Sequence, residues 1–309
     1  MTEALDSGSG QVERAGLVAG VLAMVMWSTG IVMAKGIELP GLAVVSYRMI
    51  LYVGGVIVWA RWRGTPLTRL GVRVAFWGGT MLGLDLAFFY VAVKETTVAN
   101  VTVIAACQPL LALVIGPIFF DERPRRRDVA LAFIAVTGVA VVVFGSSGLP
   151  EWSVRGDIFG VFALVFFTLY FASSKAASGK VSSTEYTAGS AFWATVVVVP
   201  VALVAQVDLG PPGASTWAAL VALALVPGML GHLLMNFSIS KVPLWLSSTL
   251  TLFVPAIATL LAYVFLDESV GATQFLGMGI VIGSLMAVIA RPGSLKVLRP
   301  GPSRVSPPH

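Results

Sequence analysis

Ten long stretches of mostly apolar residues dominate the sequence, and each has nearly the length of a membrane-spanning helix, which is about 20 residues. They cover 17–34, 43–60, 74–93, 98–120, 129–145, 158–174, 187–206, 216–238, 244–266 and 272–290. Their apolar residues run continuously instead of alternating, which favours helices over a membrane β-barrel. With 57% apolar and only 11% charged residues, the chain cannot be a soluble enzyme, a nucleic-acid-binding module or a disordered scaffold. We therefore expect an all-α membrane protein with ten transmembrane helices.

The basic residues are distributed unevenly over the links between these stretches. If the N-terminus is inside the cell, sixteen of the twenty Lys and Arg residues fall on inside segments. Only Lys35, Lys94 and Arg155 fall outside, and Arg48 lies within a stretch. Positive charge concentrates on the cytoplasmic side of membrane proteins. The sequence therefore predicts a multi-pass protein of the cell membrane with both termini cytoplasmic.

The second half of the chain repeats features of the first half in the same order. Pro109 lies twelve residues before an Asp-Glu pair that begins at Asp121, and Pro255 lies twelve residues before a pair that begins at Asp267. The tripeptide Met-Leu-Gly also occurs in the third stretch and in the eighth. Self-similarity of this kind predicts a repeated structural unit.

The repeated unit contains five helices, so the second copy is expected to enter the membrane upside down relative to the first. The copies are predicted at 17–145 and 158–290, with an external linker at 146–157. A cytoplasmic tail is predicted at 1–16 and a flexible cytoplasmic tail at 291–309. Inverted repeats of this kind are typical of alternating-access carriers, whose substrate site lies near the bilayer midplane. Duplication without a transport role is the other interpretation.

Several short motifs carry a family resemblance, and one of them, the proline followed by an acidic pair, occurs in both halves. They are Trp27-Ser28-Thr29-Gly30, Ser46-Tyr47-Arg48, Glu122 and Glu268 after Pro109 and Pro255, and Gly277 and Gly283. With these motifs in order, residues 17–290 resemble the EamA type of the drug/metabolite transporter superfamily. The resemblance implies a ten-helix inverted-repeat fold and export of small metabolites, often amino acids. Leu131 stands where the second half has Gly277, and Asp85 is not part of the pattern.

Asp85, His232 and Asn236 are the polar residues within stretches that we expect to bind substrate. Asp85 lies in mid-span, where an ionisable group should face the bundle interior or water. It is expected to relay a proton or cation or to bind a substrate ammonium, and a neutral, hydrogen-bonded carboxyl is the alternative. His232 and Asn236 lie one turn apart on one helix face. His232 either carries a proton or bridges helices by hydrogen bonds.

Aromatic residues are the second group of candidate binding residues. Trp27 lies near mid-membrane, where it is expected to contact an apolar or cationic substrate group or to pack between helices. Tyr90 and Tyr170 are expected to add hydroxyls and ring faces to the same cavity, or to pack. Arg48 either extends to the membrane surface or binds a substrate carboxylate with its planar guanidinium.

Matched prolines and acids are expected to shape the helices. Pro109 and Pro255 remove a backbone hydrogen bond each, so they predict kinks that either act in gating or improve packing. Glu122 and Glu268 follow helix C-termini, where the helix dipole disfavours acids. A basic partner such as Arg123 is therefore expected for Glu122, and both acids are expected to be structural.

The primary hypothesis is a secondary transporter that exports small metabolites, most of all amino acids or related compounds, by alternating access. An exchanger of phosphorylated or nucleotide-linked sugars is one alternative, and an integral-membrane enzyme is another. We expect no metal site, because the chain has one cysteine and no clustered ligands. We also expect no cofactor, and no nucleic-acid partner for so apolar a chain. Membrane lipid, a small-molecule substrate, a coupling proton or other ion and a monomeric state are expected. Substrate, ion, direction of flux and oligomeric state stay open.

Overall fold

The computed structural model describes residues 2–35, 37–96, 98–147, 153–265 and 269–290, and helices make up nearly all of them. Glu268 and the tail 291–309 lie outside the described residues. The helices are α1 Thr2–Lys35, α2 Gly41–Trp62, α3 Arg69–Val74, α4 Phe76–Glu95, α5 Val98–Ala106, α6 Gln108–Phe120, α7 Arg126–Ser147, α8 Val154–Ala177, α9 Ser183–Val204, α10 Ala214–Leu223, a π-helix Ala224–Leu230, α11 Gly231–Lys241, α12 Leu244–Leu250, α13 Phe253–Phe265 and α14 Ala272–Ile289.

Ten helical segments within the described residues are long and apolar enough to cross a membrane. They are Gln11–Ala34, Gly41–Trp62, Phe76–Val93, Asn100–Phe120, Arg126–Gly145, Val154–Ala177, Ser183–Val204, Ala214–Lys241, Leu244–Phe265 and Ala272–Ile289. Each overlaps one of the ten predicted stretches. The expected ten-helix all-α membrane fold is therefore confirmed in the number and place of its spans.

Three of these spans are not continuous α-helices, and a proline lies at each irregularity. The fourth span breaks at Cys107, two residues before Pro109, and the ninth breaks at Thr251 and Leu252, before Pro255. The eighth span widens into a seven-residue π-helix that contains Pro227. Proline lacks a backbone N–H and its ring clashes with the preceding turn. The helix breaks therefore lie where the sequence predicts kinks, whereas the π-helix is an additional feature.

Glycines let the helices that surround the bundle interior approach closely. A Cβ atom at Gly79 would lie 2.6 Å from the carbonyl oxygen of Ser190, and one at Gly83 would lie 2.6 Å from Cβ of Val197. The absence of a side chain at these two glycines lets α4 pack closely against α9. Close approach through small residues is a common way for membrane helices to pack, and here it places α4, which carries Asp85, next to the second half of the chain.

The links between spans gather at two ends of the bundle. At the arginine-rich end, which holds the links 63–68, 121–125, 178–182 and 242–243, the Thr68 hydroxyl and backbone N–H both donate to Glu185 at the start of α9. At the opposite end, the Tyr47 hydroxyl of α2 donates to the carbonyl oxygen of Leu209 at 2.5 Å. Each end is therefore tied by contacts between distant parts of the sequence.

Candidate functional site

An aromatic cluster from the first, second, sixth and eighth spans surrounds His232. The His232 ring lies 5.1 Å from that of Trp27 and stacks on Tyr52 at 5.6 Å between centroids. Trp27 also contacts Phe167 at 5.9 Å and Phe171 at 6.3 Å. Tyr52 and Phe171 are fully buried. Trp27 of the first half therefore lies inside the bundle, as its mid-span position predicts, and its ring contacts residues of the second half.

A hydrogen-bond network continues from His232 towards the arginine-rich end. Asn236 Nδ2 donates to Tyr170 Oη and to Thr187 Oγ1, both at 2.9 Å. Ser174 Oγ donates to Asn236 Oδ1 at 2.8 Å. Tyr170 Oη lies 3.1 Å from His232 Nδ1. These groups are all buried, so Asn236 joins α11 to both α8 and α9.

The directions of these bonds constrain the tautomer of His232. The Tyr170 hydroxyl carries one hydrogen, and it lies 3.1 Å from both His232 Nδ1 and Asn236 Oδ1. Asn236 Oδ1 already accepts from Ser174, and Asn236 Nδ2 donates to Tyr170 Oη. The Tyr170 hydroxyl therefore donates its hydrogen to His232 Nδ1. Since Nδ1 then acts as an acceptor, the neutral histidine carries its own proton on Nε2.

A polar cavity of about 510 Å³ lies beside this network at the arginine-rich end. Asn236, Ser174 and Tyr186 form its inner part, and Arg63 and Lys241 contribute the basic side chains of its wall. Its other lining residues are mostly serine, threonine, alanine and glycine from the α8–α9 link and the start of α9. The network around Asn236 is therefore reached from one end of the bundle through a hydroxyl-rich space.

Arg48 and Asp85 form a second, charged part of the interior. Both side chains are half-buried. The Arg48 guanidinium lies within electrostatic range of Asp85, Tyr90, Tyr52 and His232. Within the described residues, neither Arg48 nor Asp85 makes a direct hydrogen bond or ion pair. A guanidinium group and a carboxyl group therefore share one region of the membrane interior without direct contact.

Three buried donors near Arg48 have no acceptor among the described residues. They are Arg48 Nε, Tyr52 Oη and Trp27 Nε1. Two of them face the eighth span closely, since a Cβ atom at Gly228 would lie 3.6 Å from Arg48 Nε and one at Gly231 would lie 2.5 Å from Trp27 Nε1. Buried donors without a partner are costly. π-Helical segments such as the one before Gly231 occur often at functional sites.

Glu122 is held at the arginine-rich end by groups other than the expected basic neighbour. Its Oε1 accepts the Leu244 backbone N–H at 2.7 Å, and its Oε2 accepts that of Trp245 at 3.4 Å. Arg123 instead pairs with Asp121 at 3.3 Å. Glu122 follows one helix C-terminus but caps the N-terminus of α12, where the helix dipole favours a carboxylate.

Lys175 lies next to this cap and links three parts of the chain. Its Nζ donates to the carbonyl oxygens of Val242 at 2.6 Å and Ile239 at 3.2 Å, and lies 3.8 Å from Glu122 Oε1. The buried Glu13 of α1 is also within its electrostatic range. Burial raises the pKa of Glu122, although the Leu244 N–H, Lys175 and the Trp245 N–H all favour its carboxylate.

Four of the six predicted binding residues come together, namely Trp27, Tyr170, His232 and Asn236. Asp85 and Tyr90 lie apart from this group. They are connected to it only through Arg48, which lies within electrostatic range of both residues and of His232. Within the described part of the chain, Asp85 and His232 make no direct contact.

Tyr52 was not predicted as a site residue, because in the sequence it is one aromatic among many. The sequence did indicate Arg48 as a candidate, because it is a charged residue within an apolar stretch. The prolines Pro109 and Pro255 lie in other spans, outside this group. Among the described residues, no three His, Cys, Asp or Glu side chains are grouped as a metal site requires.

The sequence matches the EamA-like transporter family twice, over residues 14–144 and over residues 154–290. It is 24% identical to the pseudopaline exporter CntI of Pseudomonas aeruginosa over 74% of this chain and 79% of that protein. It is 23% identical to a probable amino-acid metabolite efflux pump of Escherichia coli over 87% of this chain and 92% of that protein.

Similarity extends to an uncharacterised transporter of Bacillus subtilis, YwfM, at 25% identity over 89% of this chain and 94% of that protein. One crystal structure superposes with a TM-score of 0.82 over 90% of this chain and 97% of the other, at 20% identity. At that identity, the superposition supports the ten-helix fold alone.

Proposed function

The chain belongs to the EamA-like transporter family, and from this premise we propose that it exports small metabolites, amino acids or related compounds, across the cell membrane. The observation that carries the proposal is the buried polar and aromatic cluster in which Trp27 meets Tyr170, His232 and Asn236. Polar residues inside a membrane are costly and mark substrate pathways. A cluster built from both halves fits a carrier whose site lies between them.

The transport cycle that we propose is alternating access by two inverted five-helix repeats, at 17–145 and 158–290, with both termini cytoplasmic. The broken helices near Pro109 and Pro255 support this proposal, because carriers of this kind use discontinuous spans near the substrate site. These two breaks are the proposed gating elements. The proposed transport unit is the monomer, since one chain contains both proposed repeats.

We assign ion coupling to Asp85. A carboxyl group in mid-span can take up and release a proton, and Arg48 is the charged group within its electrostatic range. Replacement of Asp85 by Asn is expected to abolish the dependence of export on a pH gradient. Export by this variant with unchanged pH-gradient dependence would exclude the assignment.

The first test is counterflow into proteoliposomes that contain the purified protein, without an imposed ion gradient. The panel consists of radiolabelled amino acids, polyamines and sugar phosphates. Exchange of amino acids is expected. Exchange of sugar phosphates alone would replace the exporter proposal by the exchanger. A folded protein that exchanges none of the compounds, with or without a pH gradient, would contradict the proposal.

The alternatives have less support from the site. A sugar-phosphate exchanger needs several cations directed at one phosphate, but Lys175 already binds two carbonyl oxygens and approaches Glu122. An integral-membrane enzyme needs a nucleophile with a base or a metal. His232 instead bonds a tyrosine hydroxyl within a network of neutral groups.

A further inference from the structure

The interior of the first half holds a guanidinium group and a carboxyl group that make no direct hydrogen bond or ion pair with any of the described residues. We propose that Arg48 and Asp85 are the two poles of a binding site for a zwitterionic head group, an α-amino carboxylate, and this proposal rests on the export function proposed above. Arg48 receives the carboxylate, and Asp85 receives the ammonium group.

Arg48 is the pole that needs an acceptor. It lies in the second span, and within the described residues no group accepts a hydrogen bond from its guanidinium. A guanidinium carries five donors and always keeps its charge. In a membrane such a side chain is normally paired or bonded to carbonyl oxygens. A planar acceptor with two oxygens, such as a carboxylate, matches the spacing of these donors.

Two neighbouring donors point to the same kind of ligand. Tyr52 lies one turn from Arg48 on α2, and its buried hydroxyl has no partner among the described residues. The buried indole N–H of Trp27 has none either, and Trp27 and Tyr52 both contact the ring of His232. The donors of Arg48, Tyr52 and Trp27 all lack an acceptor among the described residues. Together they favour a ligand whose oxygen atoms can accept hydrogen bonds.

Asp85 adds a second requirement for the ligand, which is a group that can pair with a carboxylate. It lies on α4 within electrostatic range of Arg48, and in the described chain it neither donates nor accepts a hydrogen bond. A simple anion would satisfy Arg48 but would be repelled by the Asp85 carboxylate. A simple cation would satisfy Asp85 but would leave Arg48 without a partner. A ligand that carries an ammonium and a carboxylate group on the same carbon atom can satisfy both poles.

The aromatic cluster on the Arg48 side of the proposed site favours an apolar side chain on the ligand. The ring of Trp27 packs against Phe167 and Phe171, and rings of this kind contact apolar groups well. Leucine, which joins an apolar side chain to a zwitterionic head group, is therefore the probe. Leucinamide lacks the carboxylate, and N-acetylleucine lacks the ammonium.

The experiment measures binding of these three compounds to the purified wild-type protein in detergent by competition with radiolabelled leucine. The same three compounds are then tested in counterflow. Leucine is expected to bind about tenfold more tightly than either analogue, which corresponds to the loss of one charged contact. Equal binding of all three compounds, or no binding of leucine, would overturn the zwitterion site.

Two variants test which charged group of the ligand each residue binds. Arg48→Gln is expected to weaken binding of leucine and N-acetylleucine about tenfold and to change that of leucinamide by less than about twofold. Asp85→Asn is expected to weaken leucine and leucinamide and to spare N-acetylleucine. Arg123→Gln and Asp121→Asn, which alter an exposed pair, serve as controls. A uniform loss across the three compounds would contradict the assignment.

Comparison of the binding assay with the counterflow assay tests the zwitterion site separately from the proposed export function. Selective binding of leucine without counterflow of any compound would support the site and contradict the exporter. Counterflow of leucine and both analogues at equal rates would support the exporter and overturn the site. The wild-type comparison uses no substitution, so it decides the question even if a variant fails to fold.

Discussion

Asn236 makes bonds to three side chains in the membrane interior, and these bonds link helices of the second half. It accepts from Ser174 and donates to Tyr170 and Thr187. Hydrogen bonds between membrane helices contribute about 0.6 kcal/mol each on average. The larger cost arises when one partner is removed and buried groups are left without a bond.

We expect Asn236→Ala to destabilise the protein by about 1–3 kcal/mol, because Tyr170, Ser174 and Thr187 lose a buried partner together. The measurement is thermal unfolding in detergent, followed by the fraction of protein that stays monodisperse after heating. Val221→Ala, on the lipid-exposed side of the same span, is the control for loss of side-chain volume. Equal melting temperatures for the two variants would show that the network does not stabilise the bundle.

Glu122 gives a prediction about pH. Burial raises its pKa in the folded protein, so the folded state holds a proton that the unfolded chain releases at lower pH. Stability then falls as the pH rises from the unfolded value, about 4.3, through the raised folded value. Wild-type protein is expected to lose stability over this window relative to Glu122→Gln, which cannot titrate.

The quantity to measure is the difference in melting temperature between wild type and Glu122→Gln, taken at several pH values between 4 and 8 in steps of about one unit. The difference should shift in favour of the wild type as the pH falls. Asp121→Asn, at the exposed neighbour, controls for the change in net charge. A difference that does not vary with pH would contradict the raised pKa of Glu122.

At the scale of elements, α7 and α14 touch along glycines. A Cβ atom at Gly277 would lie 2.6 Å from the backbone nitrogen of Val142 and 2.8 Å from the carbonyl oxygen of Gly138. Backbone atoms cannot move aside as a side chain can. The same helix offers an internal control, since a Cβ at Gly279 meets no atom within 4 Å.

Gly277→Val is therefore expected to force α7 and α14 apart and to cost about 1–3 kcal/mol of stability. Gly279→Val changes helix propensity by the same amount but adds no contact. Thermal unfolding of both variants in detergent provides the comparison. Equal stability of the two variants would show that α14 can shift away from α7 without cost.

The length and apolar character of the stretches predicted the spans well but not their internal irregularities. Length and apolar character suffice to locate ten helices, because the bilayer requires a continuous apolar surface. The breaks near Pro109 and Pro255 have a local cause that the sequence shows. The π-helix at Ala224–Leu230 does not, since Pro117 and Pro200 lie within α-helices that keep their form. The packing around each proline decides the outcome.

At the scale of the whole molecule, the orientation of the bundle is open to a direct test. We expect an impermeant maleimide applied to intact cells to label a cysteine at position 210 but not one at position 180, in a Cys107→Ala background. Both positions are exposed in links at opposite ends of the bundle. The reverse pattern would place the termini outside and contradict the distribution of basic residues. Permeabilised cells, in which both positions should react, provide the control.

The candidate site could be predicted only in part, because its contacts join residues far apart in the chain. Glu122 and Leu244 are separated by 122 positions, and no local pattern identifies such a pair. The expectation that Arg123 would neutralise Glu122 came from proximity in sequence alone. Arg48 and Asp85 could be identified as candidates from the sequence, because they are ionisable residues within apolar stretches and such groups are costly to place in a membrane.

The two halves contribute different chemistry to the interior. Arg48 and Asp85 come from the first family match, whereas Tyr170, His232 and Asn236 come from the second. In the proposed site, substitutions in one half can therefore alter one kind of recognition while the other is inherited unchanged. A lineage that duplicated a single ancestral unit would in this way gain two independently variable determinants of specificity within one protein.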